Sequence, residues 1–96
     1  MKITVAPAAR RDLEGQLTYL IEHDAAAAAR RLEQRVVTFI ERTLAVYPRV
    51  GSFVGHRDVW EVWIPGTRIV LWYRFTPDGL QIVRVWHSSQ DRDASR

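Results

Sequence analysis

The sequence contains no cysteine, and its 96 residues include a single methionine and a single lysine. Without cysteine, the chain can form neither disulfides nor cysteine-ligated zinc sites, and it has no thiolate for catalysis. No apolar run is long enough to cross a bilayer or to form the core of a signal peptide. These absences lead us to expect a cytoplasmic protein with no membrane association.

Sequence signatures of familiar enzymes and metal sites are also absent. The chain has no glycine-rich phosphate loop, no serine nucleophile elbow and no zinc-finger spacing. His23 and His56 fall in predicted turns and have no neighbouring histidine or carboxylate at metal-ligand spacing. We therefore predict neither a metal nor a cofactor.

The composition is that of a small globular domain with an excess of arginine. Hydrophobic residues make up 47% of the chain and charged residues 26%, which predicts one domain over residues 1–96. Lys and Arg number 14 against 11 Asp and Glu, which gives a net charge of +3. This balance favours an acidic partner, although a solvated basic surface explains the charge equally well.

The N-terminal half predicts a short strand followed by a helical hairpin. Residues 2–6 alternate briefly and predict a strand, and Pro7 then suits the first turn of a helix over residues 8–22. A second helix, capped by Asp24, keeps the same 3.6-residue apolar period and ends before Pro48. Its alanine run favours helix formation and lets the two helices approach closely.

The C-terminal half predicts three strands after a loop over residues 49–56. Two turns rich in proline and glycine separate them. The predicted strands span residues 57–64, 68–75 and 80–87.

The order strand-helix-helix-strand-strand-strand predicts an α+β fold. In this fold the helical hairpin packs on one face of a mainly antiparallel sheet and leaves the other face open. The polar tail that begins at Ser88 is expected to fray beyond Asp93.

Alternation along the strands separates an apolar row from a row rich in arginine and tryptophan. The apolar row, expected beneath the helices, consists of Trp60, Val62, Ile64, Ile69, Leu71, Tyr73, Phe75, Val83 and Val85. The complementary row consists of Glu61, Trp63, Arg68, Val70, Trp72, Arg74, Arg84 and Trp86.

Tryptophan and arginine together on an uncovered face predict a binding surface for RNA or an acidic peptide. The alternative is that these side chains only stack on one another across the strands. A one-residue slip in register would also exchange the two faces of a strand. His87 closes the last strand, where it can serve either as a structural histidine or as a proton-transfer group.

Several short stretches carry a resemblance to a known family. They are Pro7 to Leu13, Pro48 to Gly51, Arg57, Ile64 to Thr67, Ile69 to Phe75 and Ile82 to His87. In order and spacing, these stretches resemble the RelE/ParE superfamily of toxins from bacterial type II toxin–antitoxin systems, and they are nearer to its ParE branch. The resemblance covers almost the whole chain.

The resemblance implies a growth-inhibiting toxin that a cognate antitoxin neutralises by wrapping its C-terminal segment around it in a hetero-oligomer. ParE-like members are described as poisoning DNA gyrase without a known hydrolytic site, whereas RelE-like members cut mRNA on the ribosome. ParE-like members often have His followed by an Arg-Asp pair. This chain keeps His87 and Asp91 but has Gln90 in place of the arginine, for which Arg92 could substitute.

Gyrase poisoning is therefore the first expected function, and ribosome-dependent mRNA cleavage is the alternative. The residues expected to bind antitoxin or target are Trp63, Arg68, Trp72, Arg74, Arg84, Trp86 and Arg92. In a nuclease, Arg57, Arg74 and Arg84 would stabilise charge while His87 transferred protons. The nuclease ranks second because the sequence offers no evident second acid–base group.

Overall fold

The computed structural model describes residues 1–89, in which two helices pack on a five-stranded sheet. The elements are β1 (Lys2–Val5), α1 (Pro7–Glu22), α2 (Ala26–Phe39) with a π-helical turn (Ile40–Leu44), β2 (Ser52–Val54), a 3₁₀ turn (Gly55–Arg57), β3 (Val59–Trp63), β4 (Ile69–Thr76) and β5 (Gly79–His87). The strand order is β1-β5-β4-β3-β2, with β1 parallel to β5 and the other neighbours antiparallel.

The α+β fold and the helical hairpin are confirmed, with two corrections to the elements. Strand β2 lies inside the segment predicted as a loop, where Phe53 pairs with Trp60 of β3. Asp24 does not cap α2 but takes a left-handed conformation (φ 58°) that closes α1, and the N–H of Ala25 donates to Leu20 O at 2.8 Å. Aspartate tolerates this conformation better than most residues. The predicted fraying beyond Asp93 lies outside the described residues.

The main core lies between the helical hairpin and one face of the sheet, as the apolar row predicts. Its buried strand residues include Val62, Ile64, Ile69, Leu71, Tyr73, Leu80, Ile82 and Val85. Trp60 packs against this core while half-buried, and Phe75 is 37% exposed at its margin. Most of the predicted apolar row is therefore confirmed.

The prediction that Val83 joins this core is wrong, because β5 contains a bulge. Trp72 pairs with Arg84 whereas Tyr73 pairs with Ile82, so β5 carries one extra residue at this point. A bulge reverses the alternation of side chains along the strand. Val83 consequently packs on the opposite face of the sheet, and Ile82 takes the core position.

The face opposite the helices carries a second apolar cluster. Val59, Val70, Trp72 and Trp86 are buried there, with Val54 and Val83 packed against them. The indole rings of Trp72 and Trp86 meet edge to face, with centroids 5.3 Å apart. The expectation that both tryptophans are exposed is wrong, since Trp72 is 8% and Trp86 3% exposed.

Tyr73 ties the segment after α2 to the sheet. Its buried hydroxyl donates to Pro48 O at 2.8 Å and accepts the N–H of Gly51 at 3.1 Å. A side chain at Gly51 would collide with this hydroxyl and with the backbone of Glu61, so the close approach requires glycine. Burial raises the pKa of the Tyr73 phenol above its ordinary value.

We predict that Tyr73→Phe lowers the free energy of unfolding by about 1–3 kcal/mol, because it leaves the partly buried Pro48 carbonyl and Gly51 N–H without their partner. Tyr47→Phe, at a 66% exposed position, should change little. Urea unfolding measures both values. Equal stability of the two variants would contradict the role given to the hydroxyl.

The raised pKa of Tyr73 also predicts a pH dependence. A phenol whose pKa is higher in the folded state than in the unfolded state stabilises the fold. This stabilisation is complete below the unfolded pKa, about 10, and is lost as the pH rises through the folded pKa. Wild-type stability should therefore fall more steeply than that of Tyr73→Phe in this alkaline range. Parallel pH profiles would contradict the prediction.

Candidate functional site

Helix α1 closes the edge of β5 that β1 leaves open. Strand β1 pairs with β5 only from Gly79 to Ile82. Further along, Asp12 of α1 accepts the N–H of Val85 at 2.9 Å, and the Gln16 amide donates to Val85 O at 3.5 Å. Side chains of a helix thus satisfy backbone groups that a strand would otherwise pair.

The same carboxylate holds Arg84. The guanidinium donates from Nε to Asp12 Oδ2 at 2.7 Å and from Nη2 to Oδ1 at 3.0 Å. Its Cζ also lies 4.1 Å from the centroid of the Trp86 ring. The hydrogen bond to Asp12 raises the pKa of Arg84 in spite of partial burial. The Arg84 charge is therefore compensated within the fold, and the side chain is fixed by two partners.

A groove of about 870 Å³ lies between the helical hairpin and one end of the sheet. It is bordered by Arg11 of α1, Arg31 and Arg35 of α2, and Arg68 of the β3–β4 turn. We call it the arginine groove. Its apolar lining comes from Leu20, Leu32, Ile69 and Val85, and His87 and Ser89 also line it.

The four arginines of this groove are exposed, and their charges are not compensated by any of residues 1–89. None of them forms an ion pair within residues 1–89, and of the described residues lining the groove only Asp12 is a carboxylate, which Arg84 already engages. Arg35 Nη1 lies 3.4 Å from Pro65 O and so reaches from α2 to the turn. The groove therefore combines apolar surface with a cationic rim, which suits an acidic, partly apolar ligand.

The turn beside the groove depends on Gly66. Its φ of 76° matches the third position of a type II turn, as the Pro65-Gly66 pair predicts. A side chain there would collide with Nη1 of Arg35. Glycine thus lets the arginine lie against the turn.

The residues nominated from sequence do not form one site. Of the binding set, Arg68 borders the arginine groove, Trp63 is 53% exposed, and Arg74 is exposed on β4. Trp72 and Trp86 are buried structural residues, and Arg92 lies outside the described residues.

Each residue that the sequence suggested for a nuclease site contacts a different partner in the structure. Arg57 lies over the Trp72 ring at 5.9 Å, and Trp72 Nε1 donates to Glu61 at 2.7 Å. Arg74 Nε donates to Asp58 O at 3.0 Å. Arg84 is held by Asp12, and His87 Nδ1 lies 2.7 Å from the Ser89 hydroxyl.

Sequence reasoning missed three of the four groove arginines. Arg31 and Arg35 are one helical turn apart, so their shared face could be predicted from spacing alone. Their convergence with Arg11 and Arg68 depends on how the hairpin packs against the β3–β4 turn, which spacing does not reveal.

Comparison with known proteins identifies the family. The model for the ParE toxin of the type II toxin–antitoxin system parDE matches residues 3–92. The chain belongs to the ParE toxin family. No curated protein matches the sequence.

The fold agrees with a solved member of such a system. A chain described as "Chromosomal ParDE TA system from P. aeruginosa" superposes with a TM-score of 0.77 at 16% identity, covering 91% of this chain and 95% of that one. The expected membership in the ParE branch is thus confirmed. In the part of the chain that the structure describes, no helix could span a membrane and no side-chain cluster could hold a metal.

We predict that Asp12→Ala destabilises this ParE-family toxin by about 1–3 kcal/mol, because Arg84 and the Val85 N–H both lose an acceptor. Glu14→Ala, on the exposed side of the same helix, is the matched control. Chemical unfolding of the two variants measures the difference. If Asp12→Ala unfolded at the same urea concentration as the control, the carboxylate would not hold α1 on β5.

Proposed function

We propose that this toxin poisons DNA gyrase in the cytoplasm and that a cognate antitoxin neutralises it through the arginine groove. The observation that carries the first part is the match of the ParE toxin model to residues 3–92. ParE-like toxins, which the sequence resembles, are described as acting on gyrase without a known hydrolytic site. A toxin that acts by binding needs no acid–base pair.

The chemistry around His87 supports a binding function over RNA cleavage. General acid–base catalysis needs two proton-transfer groups, each contributing roughly 10²–10⁴-fold. Tyr73 is a poor second group, because its hydroxyl is buried, is hydrogen-bonded to Pro48 and Gly51, and has a raised pKa. Arg84, nominated to stabilise charge, is already paired with Asp12.

We predict that purified toxin increases the amount of cleaved DNA trapped by purified gyrase and that His87→Ala retains this effect. Expression without antitoxin should give filamentous cells with gyrase-linked DNA breaks, and translation should fail only late. Prompt cuts in ribosome-bound mRNA that disappear in His87→Ala would overturn the proposal.

One observation favours mRNA cleavage as the second candidate. His87 lines the same groove as Arg11, Arg31, Arg35 and Arg68, so a phosphate entering there would meet cations beside a proton-transfer group. The test with His87→Ala separates the two functions, because a nuclease should lose nearly all activity when that group is removed.

The arginine groove supports the second part of the proposal. Its cations form no ion pair within residues 1–89, so an acidic segment gains ion pairs without breaking one in this part of the chain. Its apolar lining suits the hydrophobic side of an amphipathic helix. An antitoxin segment that is disordered alone and folds as it binds would meet both demands.

We predict that Arg31→Glu and Arg35→Glu each weaken antitoxin affinity by about ten-fold or more, because each places a like charge against an acidic segment. Arg30→Glu is the matched control, since Arg30 is also exposed on α2 but does not line the groove. Isothermal titration with the cognate antitoxin measures the affinities. An equal loss in all three variants would indicate a general charge effect and would count against the groove.

A further inference from the structure

An aromatic surface lies at the opposite end of the sheet from the arginine groove. Trp60 of β3 and Phe75 of β4 pack against the buried ring of Tyr73, and Phe53 of β2 packs against Trp60. Trp60 lies 5.9 Å from Phe53 and 5.5 Å from Phe75, measured between ring centroids. The register pairs Phe53 with Trp60 and Trp60 with Tyr73, so these rings share one face of the sheet.

A single cation lies against these rings. The guanidinium carbon of Arg49 is 5.7 Å from the Trp60 centroid and 5.3 Å from that of Phe75. Arg49 is exposed, and it forms no ion pair within residues 1–89. Contact with two rings restricts the guanidinium and orients its donors, which lowers the entropic cost of binding a carboxylate.

Several large apolar side chains are exposed on or near this surface. Phe53 is 55% exposed and Phe75 is 37% exposed. Tyr47 and Val50, close to Arg49 in the chain, are 66% and 45% exposed. Exposed aromatic side chains beside an arginine are typical of protein-binding hot spots.

From this chemistry we infer that the aromatic surface, defined by Arg49, Phe53, Trp60 and Phe75, is where the toxin contacts gyrase. The inference rests on the proposed function. The matching gyrase surface presents a carboxylate to Arg49 and an apolar side chain to the exposed rings of Phe53 and Phe75.

Charge argues against two other occupants. A nucleic acid presents a row of phosphates, whose binding requires several cations, whereas Arg49 is the one cation that lies over these rings among residues 1–89. A symmetric dimer would bring the surface against its own copy, whose defining residues offer Arg49 aromatic rings and a second cation but no carboxylate. A separate protein with an acidic, apolar surface fits better.

The distance between the two surfaces adds a requirement for the antitoxin. The arginine groove borders the start of β4 at Ile69, whereas Phe75 lies near the end of the same strand. At a strand rise of ~3.3 Å per residue, the separation is about 20 Å. A short peptide that fills only the groove would therefore leave the aromatic surface exposed, and an antitoxin that blocks gyrase must extend over both.

The test uses Arg49→Glu and Phe53→Ala in the full chain. Arg30→Glu is the charge-matched control for the first, and Ile21→Ala, at 56% exposure, is the control for the second. Surface plasmon resonance on purified gyrase and the yield of cleaved DNA are measured for each variant. Circular dichroism and thermal unfolding show whether each variant is folded.

We expect both surface variants to bind gyrase at least about ten-fold more weakly than wild type and to trap less cleaved DNA. Their affinity for the antitoxin's groove-binding peptide should be unchanged. The two control variants should bind gyrase and trap cleaved DNA as wild type does. If wild-type toxin poisons gyrase and the folded surface variants match it, the inference is overturned and the proposed function stands. If wild-type toxin neither binds nor poisons gyrase, both are overturned. Light scattering shows whether the wild-type toxin is a dimer. If it is, and if Phe53→Ala dissociates the dimer without affecting poisoning, the inference is also overturned.

Discussion

The position of helix α1 on β5, and with it the shape of the groove, depends on one carboxylate. Asp12 accepts hydrogen bonds from the Val85 backbone and from two nitrogens of Arg84, while the neighbouring Leu13 packs against the main core. This arrangement gives a physical reason for the Asp-Leu pair by which the sequence resembles its family. One residue closes a strand edge, and the next anchors the same helix in the core. It also removes Arg84 from the cations that a ligand can meet.

Two surfaces of different chemistry lie at opposite ends of one sheet. Among the described residues, the arginine groove offers four cations without an ion pair above an apolar lining, whereas the aromatic surface offers exposed rings and Arg49. The first suits an acidic segment that folds on binding, and the second suits a folded protein surface. Under the proposed function, this division explains how a chain of 96 residues engages both an antitoxin and gyrase. We propose that an antitoxin anchored in the arginine groove inhibits the toxin by reaching the aromatic surface.

The sequence predicted the parts of the fold that depend on local periodicity and turn chemistry. The helical hairpin, the Pro65-Gly66 turn and most of the core row are of this kind. The predicted position of Val83 was wrong because a bulge in β5 reverses the alternation of side chains. The bulge depends on how β5 pairs with β4, which the sequence of one strand does not reveal. The prediction failed at Trp72 and Trp86 because large rings bury one another on a face that no helix covers. The arginine groove was missed because three separate segments converge there.

We propose that the groove-binding segment of the antitoxin and gyrase contact opposite ends of the toxin. Hydrogen exchange of the toxin's backbone amides, measured alone, with the antitoxin's groove-binding peptide and with gyrase, tests it most directly. We expect the peptide to slow exchange in α1 and in the turn at residues 64–69, and gyrase to slow it at residues 47–54 and 75–76. Protection by gyrase confined to α1 and that turn would contradict the claim, because both partners would then share the arginine groove.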